Sequence, residues 1–231
     1  NNMTQYLLAA IPLFIFMASM LEKSGVIEEV FDVAYKWLGR IPGGLAVATV
    51  VASTVLAAMV GVIGAAVVTM ALVALPSMLR RGYSPVLAVG TVMAGGTLGI
   101  LIPPSVLAIV YGLVANQSVG ELYLGSVFPG LVLSGLYILF SVGYALLNPK
   151  AAPRLSPEET PTWSERWRAL RSIWSPLVLI FLVLGTIFLG LAAPTEAAAI
   201  GAFGAMVVAA IHRRLSWTIL RLALEQTAKA T

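Results

Sequence analysis

The chain has 231 residues, of which 59% are hydrophobic and 10% charged, and its net charge is +4. Soluble domains carry about 25% charged residues, so a mean hydropathy of +0.95 indicates an integral membrane protein with room for several spans. With no Cys and one His, thiolate metal sites, disulfide frameworks and His clusters are excluded, and basic residues in short blocks between apolar runs fit membrane topology rather than a nucleic-acid partner.

The opening Asn1-Asn2-Met3-Thr4-Gln5 lacks a basic n-region and a small-residue cleavage site, so no signal peptide is expected. A short span is predicted over about 6–21, with Pro12 kinking its middle. Residues 26–38 mix apolar positions with Glu28, Glu29, Asp32 and Lys36, which fits either an amphipathic interfacial helix or a solvated connector. From Ile41 to Leu79 there is no charge, and the run divides at Gly61-Val62-Ile63-Gly64. The dividing turn is short and apolar. It favours a re-entrant helical hairpin with a buried tip over two ordinary spans joined by a tight turn.

After Arg80-Arg81-Gly82, a helix is expected from Ser84-Pro85, with Ser as N-cap and Pro at the first position. It meets Gly95-Gly96-Thr97-Leu98-Gly99-Ile100-Leu101-Ile102-Pro103-Pro104-Ser105. In a helix interior Gly costs about 1 kcal/mol relative to Ala and Pro about 3, so a break is predicted across 95–105. Unpaired backbone groups at membrane depth survive only when buried in protein or lining a polar cavity. Freed carbonyls there are ligands for a hard cation such as sodium, the device of transporters with discontinuous helices. The helix should resume near Val106 and end near Asn116.

A span over about 122–147 follows the polar turn Gln117 to Glu121. Residues 148–172 read as a loop rich in Pro and charge, with an interfacial helix over 164–171. A span over about 173–191 comes next, and Ala193-Pro194-Thr195-Glu196 opens another helix that closes at His212-Arg213-Arg214. Residues 218–231 read as the approach to a further helix. If Arg80-Arg81 is cytoplasmic, counting crossings puts every Lys and Arg on that side, whether the hairpin re-enters or crosses twice.

The candidate ion site is the meeting of the tip at 61–64 with the break at 95–105. Taken alone, the tip glycines are better explained by close helix packing. Glu196 is either an intramembrane ligand or, directly after Pro-Thr, a first-turn cap facing free N–H groups. His212 reads as an interfacial residue beside two arginines. An enzyme is not expected. The glycine-rich run lacks the Gly-Lys-Ser/Thr ending of a phosphate loop, and the apolar segments hold no paired Asp and no Cys-His or Ser-His pair.

Three motifs in order, Leu75-Pro76-Ser77-Met78-Leu79-Arg80-Arg81-Gly82-Tyr83, the run 95–105 and Ala193-Pro194-Thr195-Glu196-Ala197-Ala198-Ala199, resemble the large membrane subunit, DctM type, of tripartite ATP-independent periplasmic (TRAP) transporters. The resemblance covers essentially the whole chain. It implies an all-α polytopic protein with a re-entrant hairpin and a discontinuous transmembrane helix, half of an inverted-repeat elevator transporter in the bacterial inner membrane. Members are roughly twice as long, so this chain would be the first repeat without its first span.

The implied function is sodium-driven import of small organic acids, such as dicarboxylates or 2-oxoacids. A periplasmic substrate-binding protein would deliver them, a small DctQ-type membrane subunit would assist, and sodium would be the coupling ion with no other cofactor. A non-transporting membrane scaffold is the alternative. By analogy, backbone carbonyls of Gly99, Ile102 and Pro104, with Gly61, Val62 and Gly64 at the tip, would hold sodium. Gly95, Gly96, Thr97 and Ser105 are candidates for the substrate side, and Pro103, Pro194, Thr195 and Glu196 have structural roles.

The resemblance also divides the chain. Residues 1–40 would be a scaffold span and interfacial helix, 41–120 the transport hairpin and broken helix, 121–147 a span, 148–172 a cytoplasmic loop, and 173–231 scaffold spans with a connector. Many members carry a Ser-rich tip, whereas Gly61-Val62-Ile63-Gly64-Ala65-Ala66 offers no hydroxyl.

Overall fold

The computed structural model describes residues 8–61, 63–154 and 161–231, and all regular structure among them is helical. Helix α1 (Ala10–Lys23) turns through 64° into α2 (Val26–Leu38). The corner is Gly25, in the left-handed region at φ +70°. Pro12 lies in the first turn of α1, where its missing N–H costs little, and the expected kink over 6–21 falls partly outside the described residues. Helix α2 is strongly amphipathic: Val26, Ile27, Val30, Phe31, Val33 and Ala34 are buried, while Glu28 and Asp32 are exposed.

The hairpin arms are α3 (Gly44–Val60) and α4 (Ile63–Arg80). Helix α3 is apolar all round, and most of its length is buried against α1, α2, α4 and two helices that follow. Those two are α5 (Pro85–Leu101), which α6 (Val106–Ala115) continues beyond a short interruption, and α7 (Val119–Leu147). Helix α4 packs on α5 and α3 and buries Ala66, Met70, Ala74 and Met78, a stripe at every fourth residue.

Helix α7 buries Val119, Tyr123, Gly130, Ser134, Ser141 and Ala145, spaced alternately by four and seven. This narrow stripe crosses α3, α5 and α6 in turn. Ser134 Oγ lies 2.7 Å from Thr54 Oγ1, and Gly43 packs on the Ser141 carbonyl. Helices α8 (Trp163–Ser172) and α9 (Trp174–Phe188) meet at 46°. Helix α10 (Pro194–Ile211) packs on α1 and α9, with Gly201 under Met17 and Val183 and Gly204 under Leu179, and α11 (Trp217–Ala230) lies on α1.

Among the described residues, Pro85–Ala115, Val119–Leu147 and Pro194–Ile211 are each long and apolar enough to cross a membrane, and the two bent pairs, α1–α2 and α8–α9, raise that number to five if each is one span. The basic turns gather at one end. Ser84 N–H donates to the Ala151 carbonyl at 2.8 Å, and the Arg81 guanidinium stands 4.7 Å over the Tyr35 ring. Trp37 donates to the Arg166 carbonyl at 3.3 Å and meets the Trp163 and Trp167 rings edge-on. At this end Glu29 faces His212 Nε2 at 3.3 Å and Arg214 at 3.0 Å, while Arg214 also donates to the Ser24 carbonyl at 2.8 Å.

Candidate functional site

The interruption between α5 and α6 is confined to Ile102–Ser105, not 95–105 as the glycines suggest. Helix α5 continues through Gly95, Gly96 and Gly99 to Leu101, and only Ile102 and Ser105 flank the break in extended conformation. The difference is packing. A side chain at Gly95 would overlap the Ser53 hydroxyl of α3, and one at Gly96 would overlap Val67 of α4. These glycines let two hairpin arms lie against α5, and the contact offsets their poor helix propensity. The prolines act as expected. Residues 103 and 104 have no N–H, so the carbonyls of Gly99 and Ile100 lose the donors that a continuous helix would place four residues on. Ile102 N–H still reaches the Leu98 carbonyl at 2.9 Å.

Gly61 ends α3 in the left-handed conformation, φ +61°. It is seated on the break: a methyl group there would overlap the Pro104 carbonyl oxygen. Val106 N–H points back to the Gly61 carbonyl at 3.4 Å. Tip and break therefore join directly, through a glycine with no room for Cβ and a proline carbonyl. The Pro103–Pro104 peptide is cis. Ile102 and Pro103–Ser105 are all buried, and Ser105 Oγ has no hydrogen-bond partner among the described residues.

Of the predicted tip residues, Gly61 meets the break, Gly64 is exposed in the first turn of α4 with no neighbour near its missing side chain, and Val62 lies outside the described residues. Gly95, Gly96 and Thr97 face three different helices. Thr97 Oγ1 donates to the Ala94 carbonyl at 2.7 Å and lies 3.2 Å from the Tyr137 hydroxyl of α7. They do not join Ser105 in one cluster. Among the described residues no group of His, Cys, Asp or Glu is placed to hold a metal ion, so any cation here would rely on main-chain and hydroxyl oxygen, the buried Ser105 Oγ included.

Glu196 accepts a hydrogen bond from Ala193 N–H at 2.9 Å and is exposed at the start of α10, the geometry of a first-turn cap. Pro194 is the first residue of that helix and Thr195 is buried beside it. Two arrangements have no local signal in the sequence. One is the Glu29–His212–Arg214 cluster, in which Glu29 lies far along the chain from the other two. The other is Tyr123, fully buried on the α7 stripe, whose hydroxyl donates to the Ser105 carbonyl at 3.2 Å.

A polytopic helical bundle in which a glycine-tipped hairpin meets a proline-broken helix defines a membrane protein of the discontinuous-helix class. The chain belongs to the family described as the tripartite ATP-independent periplasmic transporter, DctM component, whose model matches residues 1–231. It is 37% identical to the C4-dicarboxylate TRAP transporter large permease protein DctM of Vibrio cholerae, over 88% of this chain and 44% of that protein. It is 36% identical to the protein of the same name from Pseudomonas aeruginosa, over 98% of this chain and 52% of the relative. The ectoine TRAP transporter large permease protein TeaC of Halomonas elongata is 32% identical over 83% of this chain and 44% of its own length. The chain thus spans about half the length of these relatives.

Proposed function

We propose that this chain forms one half of the membrane subunit of a sodium-coupled tripartite secondary transporter. It imports small organic acids handed over by a periplasmic binding protein, with a small DctQ-type subunit alongside, across the bacterial inner membrane. The observation that carries this reading is the seating of Gly61 on the Pro104 carbonyl, beside two carbonyls that prolines deprive of their donors. Uncharged main-chain oxygens gathered at a dry break suit a hard monovalent cation, and such a cation compensates their lost hydrogen bonds.

The hairpin is re-entrant on this reading. Helix α3 starts from the basic end and α4 returns to it at Arg80, and α3, at 17 residues, is about 25 Å long, matching α5. The ten-residue α6 then runs on for about another 15 Å past the tip. Tip and break consequently lie part-way across the bilayer, where an alternating-access site belongs. Residues 41–120 would slide as the transport unit of an elevator against a scaffold of 1–40 and 173–231. The names of the relatives, which cover C4-dicarboxylates and ectoine, support a small-solute cargo.

The test is uptake by the complete transporter with its binding protein in proteoliposomes. An inward sodium gradient should drive accumulation, and replacing both Pro103 and Pro104 with Ala should lower it about tenfold or more by returning N–H donors to the Gly99 and Ile100 carbonyls. Uptake that ignores the sodium gradient would sink the coupling.

A further inference from the structure

We propose that Tyr123 is a positioning residue for the ion site, acting through the Ser105 carbonyl. The inference rests on the sodium reading above. Tyr123 is fully buried, and a phenol hydroxyl in that setting needs a partner. Its partner is the Ser105 carbonyl at 3.2 Å, and the same oxygen accepts Ile109 N–H at 3.3 Å from the first turn of α6. A carbonyl oxygen has two lone pairs, and both are now engaged.

Two consequences follow for a cation at the break. The Ser105 oxygen is withdrawn from the set of available ligands, whereas the neighbouring Pro104 oxygen remains turned toward Gly61. In addition, the segment 102–105 is pinned by α7 as well as by the hairpin tip. Gly130, seven residues further along α7, closes on Ile102 and Leu101, so a single face of α7 grips the break at both ends. The hydroxyl of Tyr123 is the polar half of that grip. Without it, the Ser105 carbonyl is held by Ile109 N–H alone, and Pro104 beside it is less firmly placed.

The experiment measures the sodium dependence of uptake by the complete reconstituted transporter with its binding protein. The unaltered protein, Tyr123→Phe and Tyr111→Phe are compared, Tyr111 being an exposed tyrosine of α6. Loss of one hydrogen bond at the break should raise the half-saturating sodium concentration of Tyr123→Phe about fivefold. The half-saturating substrate concentration, measured at saturating sodium, should move much less, and Tyr111→Phe should match the unaltered protein. A purely structural tyrosine would lower thermal stability and maximal rate while leaving sodium half-saturation in place, and that result overturns the proposal. If the unaltered protein takes up substrate without regard to sodium, the ion-site reading falls and this role falls with it. A sodium-dependent parent with an unshifted Tyr123→Phe variant removes Tyr123 alone.

Discussion

At Gly61 two demands fall on one residue. The left-handed backbone that closes α3 costs a residue with a side chain about 1–2 kcal/mol, and the Pro104 oxygen occupies the place of a Cβ. The first demand is readable, since a glycine between two apolar helical runs announces a turn. The second is not, because it joins positions 43 apart that no local pattern relates. Gly61→Ala should therefore part the tip from the break, whereas Gly64→Ala, at an open position, should be tolerated. Uptake assays on the two variants, with membrane levels matched by immunoblot, should give severe loss for the first and near-parental transport for the second. Glu196 was legible for the opposite reason: its cap depends only on Ala193, Pro194 and Thr195, its immediate neighbours in the chain.

Helix α5 shows where propensity misleads. Its glycines argue for unwinding one by one, yet the arms of the hairpin bury Gly95 and Gly96 and keep the helix whole to Leu101. Prolines are harder to overrule, because a missing N–H cannot be restored by any neighbour. That is why the position of the break could be read at Pro103-Pro104 and its length could not. Helix α8 is set by a local device of another kind. Glu165 accepts hydrogen bonds from the Thr162 N–H at 2.8 Å and the Thr162 hydroxyl at 2.9 Å, closing a capping box. These bonds from the Thr162 backbone and hydroxyl hold its carboxyl below the ordinary carboxylate value. A depressed folded-state value means that the cap contributes fully above the ordinary carboxylate range and is lost as pH falls through the lower folded value. Acid should thus loosen the first turn of α8 before the apolar helices respond. Fluorescence of Trp163 and Trp167, followed from neutral pH to about pH 3, should change in that window, and Glu165→Gln should flatten the response.

Across the whole molecule, charge and aromaticity divide the ends of the bundle. The turns at Arg80-Arg81, Lys150 and Arg213-Arg214 stand with Trp37, Trp163 and Trp167 at one end, and the turn at Gln117 stands at the other. This asymmetry was evident from the spacing of basic blocks alone, since each apolar run returns the chain to the same side. These 231 residues hold no cysteine, so in a full-length background free of other thiols single substitutions report sidedness. Lys150→Cys should react with an impermeant thiol reagent only from the cytoplasmic face and Gln117→Cys only from the opposite face. Reaction of both from one face would overturn the assignment. The corner between α1 and α2 adds a matter of timing. Its anchor, Arg214, is 190 residues downstream of Ser24. At ribosomal speeds of about 5–20 residues per second, Glu29 leaves the ribosome some ten to forty seconds before the cation that will hold it. Through that interval the corner is unfastened, so a bend made early in this stretch of chain is locked only when residues 190 positions later arrive.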